Sequence, residues 1–300
     1  MKPIRIGLID FGQRAPHLNS MLKLQNVIDY AIAGEKLGFD KFWLGEHHMP
    51  KASLTYSNPT NLIPILATHT KNMSIGTAGT LICIHNPYHV ASSYKLYNSI
   101  FPNRIELGFA NGMPYQNVAL YSTGKKNEDA YREFDKKVAE TVSFLRNEED
   151  FYKNDGVVLP PYKGFLPELW TLGSSDNSFR RALSLGTNLC IWTSREFSAE
   201  QKDKLDKFRQ QFFELHGRYP QVRAVVTGIC HPSSRTAKRI AMGQQYEDKL
   251  PYGDVNSFHD FIQEYRSYFD LHDFMFFNGI LDPKYRMQGV RQLKYLLAKS

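Results

Sequence analysis

Leu37-Gly38-Phe39-Asp40-Lys41-Phe42-Trp43-Leu44-Gly45-Glu46-His47-His48 is the stretch that decides how this 300-residue chain folds. Gly38-Phe39-Asp40 is a turn signal. The apolar and aromatic run behind it predicts a strand over residues 41–48. Residues 22–37, just before the turn, space their apolar side chains at helical intervals. A helix that passes through a tight turn into a buried strand is one step of an α/β alternation.

The same step repeats outward in both directions. A short apolar run at 4–10 precedes it. Further strands are predicted at 73–81, 104–110, 169–172, 189–193, 222–230 and 274–280. Helices are predicted at 62–70, 87–100, 129–145, 177–185, 202–216, 234–244, 258–269 and 284–297. Eight strands, each followed by a helix, with one extra helix before the last strand, specify a parallel sheet. Eight such units close into a single (β/α)8 TIM barrel, taken here as one domain over residues 1–300. An open doubly wound sheet would place Gly-x-Gly-x-x-Gly after its first strand. The turn here is Asp10-Phe11-Gly12-Gln13-Arg14, which lacks that spacing. Residues 149–167, with Gly156, Pro160, Pro161, Gly164 and Pro167, are expected to form an irregular insertion or lid.

Hydrophobic residues make up 42% of the chain and charged residues 22%, the balance of an ordinary globular protein. The net charge of +7 is spread along the chain beside acidic residues rather than gathered in a patch. That argues against a nucleic-acid partner and suits an anionic cofactor or substrate. The three cysteines are odd in number and form no Cys-x-x-Cys pair, against a disulfide framework or a structural zinc site. Each lies in an apolar run and is expected to be a buried thiol. Residues 1–20 have no apolar signal core, and no run reaches membrane-spanning length. A cytoplasmic protein without a membrane partner is the expectation.

Barrel chemistry sits where strands end. Three strand ends carry suggestive residues. Glu46-His47-His48 closes the second strand, where alternation sends the two histidines to opposite sides, one toward the mouth and one packing outward. A mouth-facing histidine could serve as an acid–base group; a histidine pair satisfied within the core accounts for the same residues. A metal would need further ligands, and Glu46, His85, His89 and His231 show no ligand spacing, so none is expected. Gly173-Ser174-Ser175-Asp176-Asn177-Ser178 joins a strand to a helix. Its small residues, hydroxyls and free N–H groups make an anion site, and helix capping explains them too. Gly76-Thr77-Ala78-Gly79-Thr80 ends the third strand with room for a flat ring against the backbone, or merely for tight barrel packing.

Taken in order, these stretches resemble the bacterial luciferase-like flavin monooxygenases over nearly the whole chain. The stretch 37–48 is similar to that family's second-strand motif. So are 72–80 followed by His85-Asn86-Pro87 to its third strand and next helix start. Pro102-Asn103-Arg104-Ile105-Glu106-Leu107-Gly108 is similar to its fourth-strand entry, and 172–186 to its phosphate-binding turn. The resemblance implies reduced FMN at the C-terminal mouth and His47 as the catalytic histidine. Ala78-Gly79 would lie against the flavin ring, where family members often have a non-prolyl cis peptide. Gly173, Ser174, Ser175 and Ser178 would hold the phosphate, and Trp192 would wall the ring or the substrate. It also implies a small organic substrate, a separate flavin reductase and a homodimer.

One departure stands out. Luciferase ends its fourth strand with a Cys-Arg pair serving the flavin ring and phosphate; this chain has Ala110-Asn111. Asn111 offers only neutral hydrogen bonds in place of a charge-assisted contact. Arg180 or Arg181 could supply the missing cation. The alternatives therefore stay open: a monooxygenase using reduced FMN and O2, a flavin- or deazaflavin (F420)-dependent reductase acting by hydride transfer, or a non-catalytic flavin-binding protein. Substrate contacts are expected from loops 112–124 and 149–167, including Tyr115, Tyr121, Phe151 and Tyr152.

Overall fold

The computed structural model describes residues 3–48, 53–194 and 196–299. Nine strands run β1 (Arg5–Asp10), β2 (Lys41–Leu44), β3 (Ser74–Thr77), β4 (Ile105–Ala110), β5 (Glu168–Leu172), β6 (Asn188–Trp192), β7 (Val222–Cys230), β8 (Tyr252–Gly253) and β9 (Asp273–Asn278). Neighbours pair in parallel from β1 through β7 in sequence order, β7 pairs with β9, and β9 returns to β1. Eight strands thus close into a ring, a (β/α)8 barrel, and the two-residue β8 adds only to the end of β7.

Alternation along each strand sorts the side chains. Ile6, Leu8, Phe42, Leu44, Ile105, Leu107 and Phe109 join the large apolar layer beneath the helices. Ile9, Trp43, Trp170, Leu172, Cys190, Val225 and Met275 form a second cluster inside the ring. Cys83, Cys190 and Cys230 are all buried and free. Six helices begin on side-chain caps: Asn19, Asn86, Ser175, Ser198, Ser233 and Asp254 each accept an N–H from the first turn. No helix among the described residues is long and apolar enough to cross a membrane.

The floor of the barrel is ionic. Arg223 is fully buried and donates to both oxygens of Glu106, at 2.7 and 3.2 Å, and to Asp273 at 3.2 and 3.3 Å. Its guanidinium lies 3.8 Å from the ring centre of Trp170 and 4.6 Å from that of Trp43. Burial opposes its charge, yet the Asp273 and Glu106 carboxylates hold it more firmly protonated than usual. Lys41 extends the network to Asp273 and Asp40, and Arg5 closes it on Asp40.

Three expectations need correction. Residues 149–167 are not wholly irregular, because Glu148–Asp155 is a helix; it buries none of its residues and so carries no apolar period. Gln116–Thr123 is a further short helix inside the loop after β4. The helix expected over 129–145 is two, Asn127–Arg132 and Phe134–Arg146, divided at Glu133.

Candidate active site

The C-terminal mouth holds a cavity of about 820 Å3, within the range of small-molecule sites. His47, Ala78, Gly79, Asn111, Gly173, Ser174, Ser175, Ser178 and Trp192 all line it. Nine residues spread over 146 positions of sequence thus meet at one place, because each ends a strand or opens the helix after it.

The ladder of β2 stops at Leu44, and residues 45–48 continue as a loop. Strand alternation therefore does not govern the two histidines, and both His47 and His48 lie on the cavity wall rather than on opposite sides. Gly45 makes room for this turn: a Cβ there would lie 1.9 Å from the Phe11 ring. Glu46 is buried. It accepts the Leu81 N–H at 2.9 Å, and one of its oxygens binds His48 Nε2 at 2.7 Å and His85 Nε2 at 2.6 Å. Burial opposes its charge, but these hydrogen bonds hold its carboxyl below the usual range. The three side chains converge closely enough to suggest ligands for an ion, yet every contact is of hydrogen-bond length and both carboxylate oxygens are engaged. His89 stands apart, and His231 is bonded to Gln288.

His47 makes an edge contact with Phe11, ring centres 5.0 Å apart. Burial lowers its pKa, with Glu46 opposing and His48 assisting, which favours the neutral ring. Opposite, β3 and β4 approach closely at Gly79. A Cβ on Gly79 would fall 2.4 Å from Ala110 Cβ and 2.6 Å from Ala110 N, and its φ of +155° favours glycine. The Ala78–Gly79 peptide is trans; the cis bond among the described residues is Pro160–Pro161. A glycine backbone alone achieves the close approach.

At the end of β5, Ser175 caps the helix Asp176–Leu185 and accepts the Ser178 N–H. The Ser175 and Ser178 hydroxyls are 3.0 Å apart, and Ser174 Oγ accepts the Trp192 N–H at 3.1 Å. Ser175 and Ser178 thus serve the helix cap and, with Ser174, line the cavity at the same time. A Cβ on Gly173 would lie 2.3 Å from Ser178 Oγ, so this bend also needs glycine. Trp192 is 40% exposed and forms part of the wall.

A model of the family described as luciferase-like monooxygenase matches residues 4–288. The chain belongs to that family. Among curated relatives of this luciferase-like chain, the uncharacterised protein YwcH of Bacillus subtilis is 30% identical over 187 residues. That match covers 61% of the chain and 55% of the relative, so it spans about half of the relative's length. Two solved structures share the fold. One is the oxygenating constituent of 3,6-diketocamphane monooxygenase from Pseudomonas putida in complex with FMN (TM-score 0.73, 17% identity, covering 100% of this chain and 99% of that one). The other is an F420-dependent secondary alcohol dehydrogenase in complex with an F420-acetone adduct (TM-score 0.73, 14% identity, covering 99% of each).

Within this luciferase-like barrel, neither arginine suggested for the phosphate reaches the cavity. Arg181 is buried against Asp135, 2.6 Å from Nε, and over the Phe134 ring, while Arg180 turns to Asn177. Both border a separate cleft. Of the aromatic residues expected at the substrate, Tyr115 lines the cavity. Tyr121 is 87% exposed, Phe151 stacks on Phe144 and Tyr152 packs on Tyr162. Segment 149–167 packs away from the mouth, where Val158 and Leu159 bind Tyr88 and Lys95 through their carbonyls. Its place at the rim is taken by Gln13, Tyr131, Tyr246, Lys249 and Leu250. Sequence reading missed these because they lie in the loop after β1, on a short helix and in the long β7–β8 connection. Asp10, another strand-end residue, is structural: it is locked by Lys23 at 2.5 Å, Arg286 at 2.8 Å and the Gly12 N–H at 2.7 Å.

Proposed function

We propose that this protein is a flavin-dependent monooxygenase that uses reduced FMN and O2 on a small organic substrate. The observation that carries the reading is the continuity of one cavity from the Ala78-Gly79 slot to the serine cradle at a helix N-terminus. A flat ring fits the slot, and a phosphate fits the cradle. Bound reduced flavin supplies the electrons. Ala78, Gly79 and Trp192 position the ring, with Asn111 at its edge. Gly173 lets the backbone close on the phosphate, and Ser174, Ser175 and Ser178 bind it. Neutral His47 accepts or returns a proton at the reacting substrate, and Phe11, Leu172 and Phe277 exclude water from it.

A second reading, an F420-dependent hydride transfer, is favoured by one observation: no arginine among the described residues lines the cavity, and Asn111 follows the end of β4. A separate reductase supplies the reduced flavin in the first reading. The chain self-associates through helices Ile63–His69 and Pro87–Ile100, which leave Ile65, Leu96 and Ile100 exposed. Anaerobic titration with reduced FMN tests the main proposal. Saturable binding is expected, weakened about tenfold or more by Ser174→Ala/Ser178→Ala. Absence of saturation, with saturable binding of reduced F420, would replace the first reading by the second.

A further inference from the structure

The cavity has two poles. The serine cradle stands at the end of β5. Lys249 stands in the connection between β7 and β8, whose Leu250 packs at Gly279 just after β9, and lines the same cavity. In the closed ring β9 lies three strands from β5 by way of β6 and β7, so the two poles occupy different sides of the mouth. Lys249 is the one lysine or arginine among the described lining residues. Among the described residues no carboxylate lies within ion-pair distance of its ammonium group. The one acidic lining residue, Glu46, has both oxygens engaged. Glu247 and Asp248 face a neighbouring outer cleft that Lys249 also borders.

The segment carrying Lys249 is tied down. Tyr246 donates its hydroxyl to Gln13 Oε1 at 2.6 Å. Gln244 donates to the Gly279 carbonyl at 2.8 Å and accepts the Leu281 N–H at 2.9 Å. The Lys249 and Leu250 N–H groups return to the Tyr246 carbonyl. The backbone of the cation is thus fixed above an apolar floor of Phe11, Leu250 and Phe277. An unpaired cation over an apolar pocket, far from the phosphate cradle, recognises a second anion.

We propose that the substrate is an organic acid whose carboxylate pairs with Lys249 while its apolar body lies over Phe11 and Phe277. This rests on the flavin reading for the assignment of the opposite pole, but its test does not. The probe is phenylacetate against the isosteric neutral phenylacetamide, followed by calorimetry on the flavin-free protein. Phenylacetate is expected to bind about tenfold more tightly than the amide. Lys249→Gln should abolish that preference, and Lys249→Arg should retain it. Ser174→Ala/Ser178→Ala should leave it unchanged while weakening reduced FMN. Equal binding of the two probes, or a preference that survives Lys249→Gln, would overturn the proposal. So would a Lys249→Gln protein that loses reduced FMN affinity instead, because Lys249 would then serve the phosphate. Failure of the flavin reading would show as absent FMN saturation with the carboxylate preference intact.

Discussion

The two ends of the barrel use charge in opposite ways. At the floor, Arg223 meets two carboxylates and two indoles, and little of the group reaches water. At the mouth, His47 and Lys249 border open space, and the serine hydroxyls satisfy one another only partly. A buried network whose charges are matched fixes geometry and leaves little for a ligand, even with Trp170 Nε1 and Asp40 Oδ1 lacking partners there. An incompletely matched rim gives up some stability and leaves valences that a ligand can take. Stability and binding are therefore expected to separate along the barrel axis.

The harshest test of that separation is Arg223→Met. It strands Glu106 and Asp273 in the interior, and loss of one partner of a buried charge network costs about 3–5 kcal/mol. Denaturant unfolding should show that loss. A cost below about 1 kcal/mol would mean that water reaches the floor and that the contrast between the ends is false. His47→Ala should behave in reverse. Turnover should fall about a hundredfold, typical of a lost acid–base group. Unfolding free energy should stay within about 0.5 kcal/mol, since His47 has no hydrogen-bond partner among the described residues. Product formation in single-turnover assays and chemical melts read the two effects separately. Gly79→Ala falls between these cases. It places a Cβ against Ala110 at a backbone angle suited to glycine, which should cost about 1–3 kcal/mol. It should also narrow the ring slot and weaken reduced FMN. A stable variant with unchanged FMN affinity would move the ring away from β3.

The eight-fold alternation was legible because most barrel strands are short, largely apolar and buried runs bounded by turn residues. Strand ends were overextended, to His48 and Leu81, because the ladders of β2 and β3 break at Leu44 and Thr77, with only isolated contacts beyond them such as the Gly45 N–H to the Asp10 carbonyl and the Thr80–Phe109 bridge. That the serines, His47 and Gly79 meet at one cavity was legible because strand ends and helix starts converge at the mouth of a barrel. The rim residues Gln13, Tyr246 and Lys249 were not, since nothing local distinguishes a loop that folds over the mouth from one that does not. Segment 149–167 shows the converse error: glycines and prolines marked a long connection, but not which side of the barrel it covers. The floor was invisible for another reason. Arg223 lies 117 residues from Glu106 and 50 from Asp273, and a charged residue within a strand gives no sign of pointing into a closed ring.

The smallest effect sharpens the comparison at a single proton. Burial lowers the His47 pKa from its ordinary value of 6.5. In the unfolded chain His47 takes up its proton as pH falls through 6.5, whereas in the folded protein it does so only at lower pH. Between those two points the unfolded state binds more protons, so stability rises with pH across that window and is lost as pH falls. His47→Gln removes the titrating group and should flatten this slope across the window. Denaturant midpoints at intervals of pH below 6.5, for the parent and His47→Gln proteins, decide it. Identical curves would mean that water reaches the ring freely and that the mouth does not shield the group on which the proposed chemistry depends.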